Sequence, residues 1–181
     1  MLLTSYLPWH VHIHPYVDHI LILRVQVNRS NLQSIVQQVL SHLVPEATPR
    51  PSAAQSLSQN LSSSPTTSAT VVPNQSAAYR LVLSQRILSM CSQNTYENVN
   101  NFEWYLSVLV DLAHVANVDI GREIRDQLMD VVGRVRAARP YAVKLMHALL
   151  TDDSLILNAN DEGSCSEVLW AAAWICGEYS E

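Results

Sequence analysis

Apolar residues recur at three- and four-residue intervals over most of this chain, and only an α-helix places such residues on one side of a rod. In residues 31–43, Leu32, Ile35, Val36, Val39, Leu40 and Leu43 form one stripe, with Gln33, Gln37, Gln38 and Ser41 opposite. Ser30 or Asn31 is the expected N-cap, and Pro45 marks the stop. A second helix is expected over 77–91, with Tyr79, Val82, Leu83, Ile87 and Met90 on one face. A third follows Asn100-Asn101 and runs through FEWYLSVLVDLAHVA. It is apolar on most sides, so it belongs inside, covered by several neighbours. The spacing of Ile120, Ile124, Leu128, Val131, Val135 and Ala138 predicts one continuous helix over 120–138, with Asp130 and Arg134 paired at i, i+4. Pro140 suits the first turn of the next helix, PYAVKLMHALLTD. The last opens on Ser164-Cys165-Ser166-Glu167, a capping box by spacing, with Val168, Leu169, Ala172, Ile175, Cys176 and Tyr179 as its stripe.

Four glycines in 181 residues leave few turns of the kind that sandwiches and phosphate-binding α/β folds need, and 48% hydrophobic residues is ample for a packed core. Residues 46–76 differ in kind. They hold eight Ser, four Thr and four Pro, no aromatic, and only Glu46 and Arg50 as charges, so they are expected to be a disordered insertion. With it set aside, helices begin roughly every 20–25 residues, giving a pair period of about 40–45, that of HEAT and armadillo arrays. The expected fold is all-α: a solenoid of antiparallel helix pairs over 28–181, each pair burying one face on the one before it. Residues 1–27 fit this pattern poorly, since HILILRVQV alternates like a strand and suggests an artificial start. An apolar helix at the very end, without a polar capping repeat, reads as a piece of something longer.

Eleven Lys+Arg against sixteen Asp+Glu give a net charge of −5 and argue against a general nucleic-acid binder. Cys91, Cys165 and Cys176 are odd in number and form no CxxC pair, so buried free thiols in a reducing compartment are expected. There, the sequons at Asn28, Asn60 and Asn74 would be silent; Ser64-Pro65 and Thr48-Pro49 suit a proline-directed kinase, against the plainer reading of an unmodified spacer. The N-terminus lacks the charged start and apolar stretch of a signal peptide, and no run nears the ~18–20 apolar residues of a bilayer span. Any membrane association is expected to be peripheral.

The sharpest chemical candidate is His10-Val11-His12-Ile13-His14, whose alternate imidazoles would share one side of a strand and suit a metal-dependent hydrolase. Such a barrel needs about 250 residues and eight βα units, and the rest of this chain is helical. A plain terminal segment is the better reading, with no cofactor. Arg134, Arg136, Arg139 and Lys144 form a stretch free of acids, a candidate contact for acidic lipid or an acidic partner. Its plain alternative is a solvated helix end whose cations suit the C-terminal dipole. Trp104, Trp170 and Trp174 lie at helical spacing among aliphatics and are expected to pack in the core. No phosphate loop, GxSxG or paired-carboxylate setting occurs, which favours a scaffold over an enzyme.

Three stretches carry a resemblance: Cys91 through NFEWYL, Arg134-Val135-Arg136-Ala137 through Tyr141-Ala142-Val143, and EVLWAAAWICGEYSE. Together they resemble the adaptin N-terminal trunk of large vesicle-coat adaptor subunits. The WICGEY run looks like an element shared across them, and NFEWY points to the delta type of adaptor protein complex 3. The resemblance covers 28–45 and 77–181. It implies a non-catalytic scaffold in a cytosolic coat, peripheral on Golgi or endosomal membranes, that carries cargo toward the vacuole or lysosome. Implied partners are beta-, mu- and sigma-type subunits, a small GTPase and cargo tails, though no family binding residue maps onto a position here. The alternative is another helical-repeat scaffold or transport receptor.

Overall fold

A computed structural model describes residues 26–44 and 75–180. The histidine run, most of the strand-like HILILRVQV and nearly all of the Ser/Thr/Pro-rich insertion lie outside the described residues. Those described form seven α-helices: α1 (Leu32–Leu43), α2 (Ala77–Tyr96), α3 (Phe102–Val115), α4 (Gly121–Arg134), α5 (Arg139–Thr151), α6 (Asp153–Leu157) and α7 (Val168–Tyr179), with a 3-10 turn at Arg136–Ala138. No strand occurs among the described residues.

Helices α1 and α2, α3 and α4, and α5 and α7 pack as successive pairs. Contacts from pair to pair run α3 to α5, α2 to α4 and α4 to α7. Two layers result, with α3 and α5 neighbours in one and α2, α4 and α7 side by side in the other. That is the all-helical solenoid arrangement expected from the apolar spacing. Helix α3 is its inner rod, as its sequence predicts: Tyr105, Leu106, Val108, Leu109, Val110, Leu112 and Ala113 are all buried. Asn101 starts it, its side-chain oxygen accepting from the Trp104 N–H at 3.1 Å.

Several local expectations are corrected. The Asn31 side chain makes no cap bond to α1. Instead the Asn28 carboxamide oxygen accepts from the N–H groups of Ser30 (3.0 Å) and Asn31 (3.1 Å), and the Asn31 side chain accepts in return from the Asn28 N–H (2.8 Å). The Asn28 carbonyl also accepts from the Leu32 N–H, so a reciprocal capping box lies one turn ahead of α1. On α2, Val82 faces outward at 48% exposure while Leu88 and Cys91 are buried, so the core stripe lies to one side of the expected face. The helix expected over 120–138 stops short, at Arg134, and a 3-10 turn follows it. In a continuous helix the Pro140 ring would meet the Arg136 carbonyl and leave it without a donor. Helix α4 therefore ends at Arg134, Val135 leaves helical geometry (φ −102°, ψ 85°), and the 3-10 turn carries the chain into α5.

The capping box expected at Ser164–Glu167 does not form. Helix α7 starts without a side-chain cap, and Ser164 Oγ and Glu167 Oε2 are buried without a hydrogen bond. The segment before α7 is instead pressed against the start of α4. A Cβ on Gly121 would meet Glu167 Oε2 at 2.2 Å and the Cys165 backbone at 3.0 Å. Gly163, at φ +81°, would place its Cβ 2.7 Å from the Asn117 carbonyl oxygen. This close approach fixes the α4–α7 contact.

Candidate protein-interaction surface

The four cations of the basic run are engaged differently. Arg134 donates from Nε to Asp130 Oδ1 at 2.6 Å, the predicted i, i+4 pair, and that hydrogen bond raises its pKa. Arg139 turns back to α4, donating to the carbonyls of Val132 (3.1 Å) and Gly133 (2.9 Å), which the helix end leaves open. Its guanidinium also lies 4.3 Å from the centre of the Tyr179 ring, joining α4, α5 and α7. Arg136, on the 3-10 turn, and Lys144, on α5, are exposed and make no ion pair among the described residues.

The tryptophans divide. Trp104 is half-buried, tilted against Tyr105 at 6.4 Å. Trp170 and Trp174 correct the core expectation, being 57% and 37% exposed on the outer side of α7. The ring of Trp170 has Arg125 above it at 5.7 Å, and Trp174 meets Tyr179 edge-on at 5.7 Å. Ala171 and Ala172 face inward and let α7 lie close to its neighbours, while Ala173 points out.

A cleft of about 580 Å³ opens where α2, the end of α3 and the 154–165 segment meet. Its arginine, Arg80, holds helix ends together: Nε donates to the Ala116 carbonyl at 2.9 Å, and Nη2 to those of Leu43 (3.0 Å) and Val115. Sequence reading missed this role, because a lone arginine inside an amphipathic helix carries no local signal of what it will cap. Burial lowers the Arg80 pKa. His114 donates from Nδ1 to the Val110 carbonyl (2.8 Å), and its Nε2 faces Asp152 at 3.8 Å. Cys165 is the thiol in the cleft wall, and burial pushes it up to about 11, leaving it protonated at neutral pH. Among the described residues no group of three metal-binding side chains occurs, and no helix is long and apolar enough to cross a membrane. All three cysteines are free; Cys91 and Cys165 are buried and Cys176 half-buried.

Paired helices in two layers, with side chains committed to capping and packing, define a helical-repeat scaffold. Residues 19–181 match the family model of the adaptin N-terminal region, and the chain belongs to that family. It is 43% identical over 107 residues to the AP-3 complex subunit delta-1 of Bos taurus, covering 59% of this chain and 9% of that protein. It is 40% identical over 107 residues to the AP-3 complex subunit delta of Dictyostelium discoideum, with the same coverage. Against the Arabidopsis thaliana AP-3 complex subunit delta it is 43% identical over 95 residues, 52% of this chain and 10% of the relative. The chain therefore spans about a tenth of the length of the curated relatives it matches.

Proposed function

We propose that this chain is a non-catalytic scaffold segment of a vesicle-coat adaptor complex of the AP-3 type, serving protein transport between Golgi or endosomes and the vacuole or lysosome. One observation carries the reading: the adaptin match extends over the whole two-layer array, and the delta-type relatives share its sequence at about 40% identity. A curved stack of helix pairs offers a long surface against which other subunits pack side by side. Its partners on this reading are beta-, mu- and sigma-type subunits, with a small GTPase and cargo tails reached through the assembled coat. It works in the cytoplasm, peripheral on the membrane. Arg136 and Lys144 are the cations best placed to meet acidic lipid or an acidic partner, with Arg134 and Arg139 supporting the helix ends beside them.

Affinity purification of the tagged chain from its own cells tests this. Recovery of mu- or sigma-type adaptor subunits is the expected result. Failure of the chain, and of any longer protein containing it, to join such a complex overturns the proposal in favour of another helical-repeat scaffold.

A further inference from the structure

Helix α2 leaves right-handed geometry at Gln93 (φ −53°, ψ 134°), ahead of its last residue. Asn94, Thr95 and Tyr96 then follow at φ 48°, 59° and 63°, a left-handed turn without a glycine. Left-handed backbone is costly for each such residue, and most of all for β-branched Thr95. The chain's four glycines lie elsewhere, although one here would remove much of that cost. Strain of this kind persists only where the surroundings over-determine it. The Tyr96 ring is buried, its centre 6.3 Å from that of Phe102 and 5.9 Å from that of Tyr105, both on α3. Its hydroxyl lies beside Asp130 of α4. Asn94 Nδ2 donates to Glu97 Oε2 at 3.0 Å. Arg29, ahead of α1, donates from Nε to the Glu97 carbonyl at 2.9 Å, and Asn100 Nδ2 donates to the Arg29 carbonyl at 2.8 Å. One turn thus touches both the first and the second helix pair, where the chain passes between them.

Continued right-handed, α2 would carry Tyr96 to its other side. Gln85, Ser89, Ser92 and position 96 stand at i, i+4, i+7 and i+11, and Gln85 and Ser89 are exposed. The left-handed turn is therefore what swings Tyr96 inward. Residues 93–96 have two mutually exclusive arrangements: left-handed with the tyrosine buried, or right-handed with the helix ladder extended and the tyrosine in water. Burial of one aromatic ring and the left-handed cost of three residues are of the same order, so neither dwarfs the other. We propose that residues 93–97 form a two-position latch between the first and second helix pairs. Tyr96 inserted, as seen here, holds the pairs together. Tyr96 withdrawn lengthens α2, breaks the Arg29–Glu97 tie and lets the pairs pivot. The latch is independent of the coat reading, since every group in it belongs to this chain.

Amide hydrogen exchange and backbone NMR on the full chain test the proposal. The probes are the Glu97 and Val99 N–H groups, which donate to the Gln93 and Tyr96 carbonyls when the latch is closed. Asn94→Gly combined with Thr95→Gly removes the left-handed cost and penalises the right-handed alternative, so exchange at both probes should slow at least ~10-fold. A turn with no second position would only be loosened by glycine and would exchange faster. Tyr96→Ala removes the anchor, so the carbon shifts of residues 93–96 should move to right-handed helical values while α3, α4 and α5 stay protected. Arg29→Ala, a surface change, should speed exchange at the two probes and leave α5 unaffected. Unchanged or faster exchange in the glycine pair overturns the proposal. So do left-handed shifts retained in Tyr96→Ala, or loss of its helical circular dichroism, which would make Tyr96 a support of the entire fold rather than of one turn.

Discussion

Arg80, Arg139 and Gly163 show how much of this molecule depends on single residues between its helices. Arg80 answers three carbonyls from the ends of α1 and α3, and Arg139 answers two from the end of α4. Each converts open acceptors into a tie between successive repeats, through charge-assisted bonds stronger than neutral ones. Gly163 works by absence. Its φ of +81° disfavours any side chain, and the Asn117 backbone occupies the place a Cβ would take. Gly163→Ala should therefore lower unfolding free energy by ~2–4 kcal/mol, combining left-handed strain with a clash against backbone. Urea denaturation measures it; a loss below ~1 kcal/mol would mean that the 158–165 loop yields more freely than its packing implies.

At the scale of the element, apolar spacing located every long helix, while capping and breaking were legible only in part. Asn101 and the first-turn position of Pro140 were readable because each acts on its immediate neighbours. The break at Val135 follows from the same proline, but the stripe from Ile120 to Ala138 runs through it unbroken. Periodicity alone therefore carried the helix to Ala138, where the backbone ends it at Arg134 and makes a 3-10 turn. The short α6 was missed because five residues, with Asp152 capping the Ser154 N–H, carry too little pattern to register. Helix α1 begins from a capping box built by Asn28 and Asn31. Asn28→Ala should cost about 1 kcal/mol and speed amide exchange in the first turn of α1, leaving α3 and α5 protected. Uniform acceleration across all helices would show instead that the cap is coupled to the whole array.

For the whole molecule, the core is dry enough to hold its ionisable groups neutral. Burial pushes the Cys91 thiol up to about 12, and the Tyr105 and Tyr96 hydroxyls are also raised, chiefly by burial. Each of these groups keeps its proton in the folded chain at a pH where the unfolded chain has lost it. Their contribution to stability is complete below pH 9, the ordinary value of the thiol, and falls as pH climbs toward 12. Thermal melts should stay level through neutral pH and drop steeply from about pH 9 upward. A flat profile to pH 11 would show that these groups reach water. Alkylation at pH 8 should label half-buried Cys176 ahead of Cys91 and Cys165, by the same burial order.

The sequence by itself determined that this chain is helical, which helix lies innermost, and, through the NFEWY and WICGEY runs, the family to which it belongs. These are properties of spacing and identity, and spacing along one helix reports the face that must leave water. The tertiary structure alone decided which apolar residues remain outside. Trp170 and Trp174 sit among aliphatics in the sequence and look like core, yet the neighbours of α7 cover only its other side. It also decided how the cations of the basic run are engaged, because where Arg139 reaches depends on which carbonyls the end of α4 leaves open. Periodicity says that a face is apolar; only packing says whether another helix has arrived to cover it.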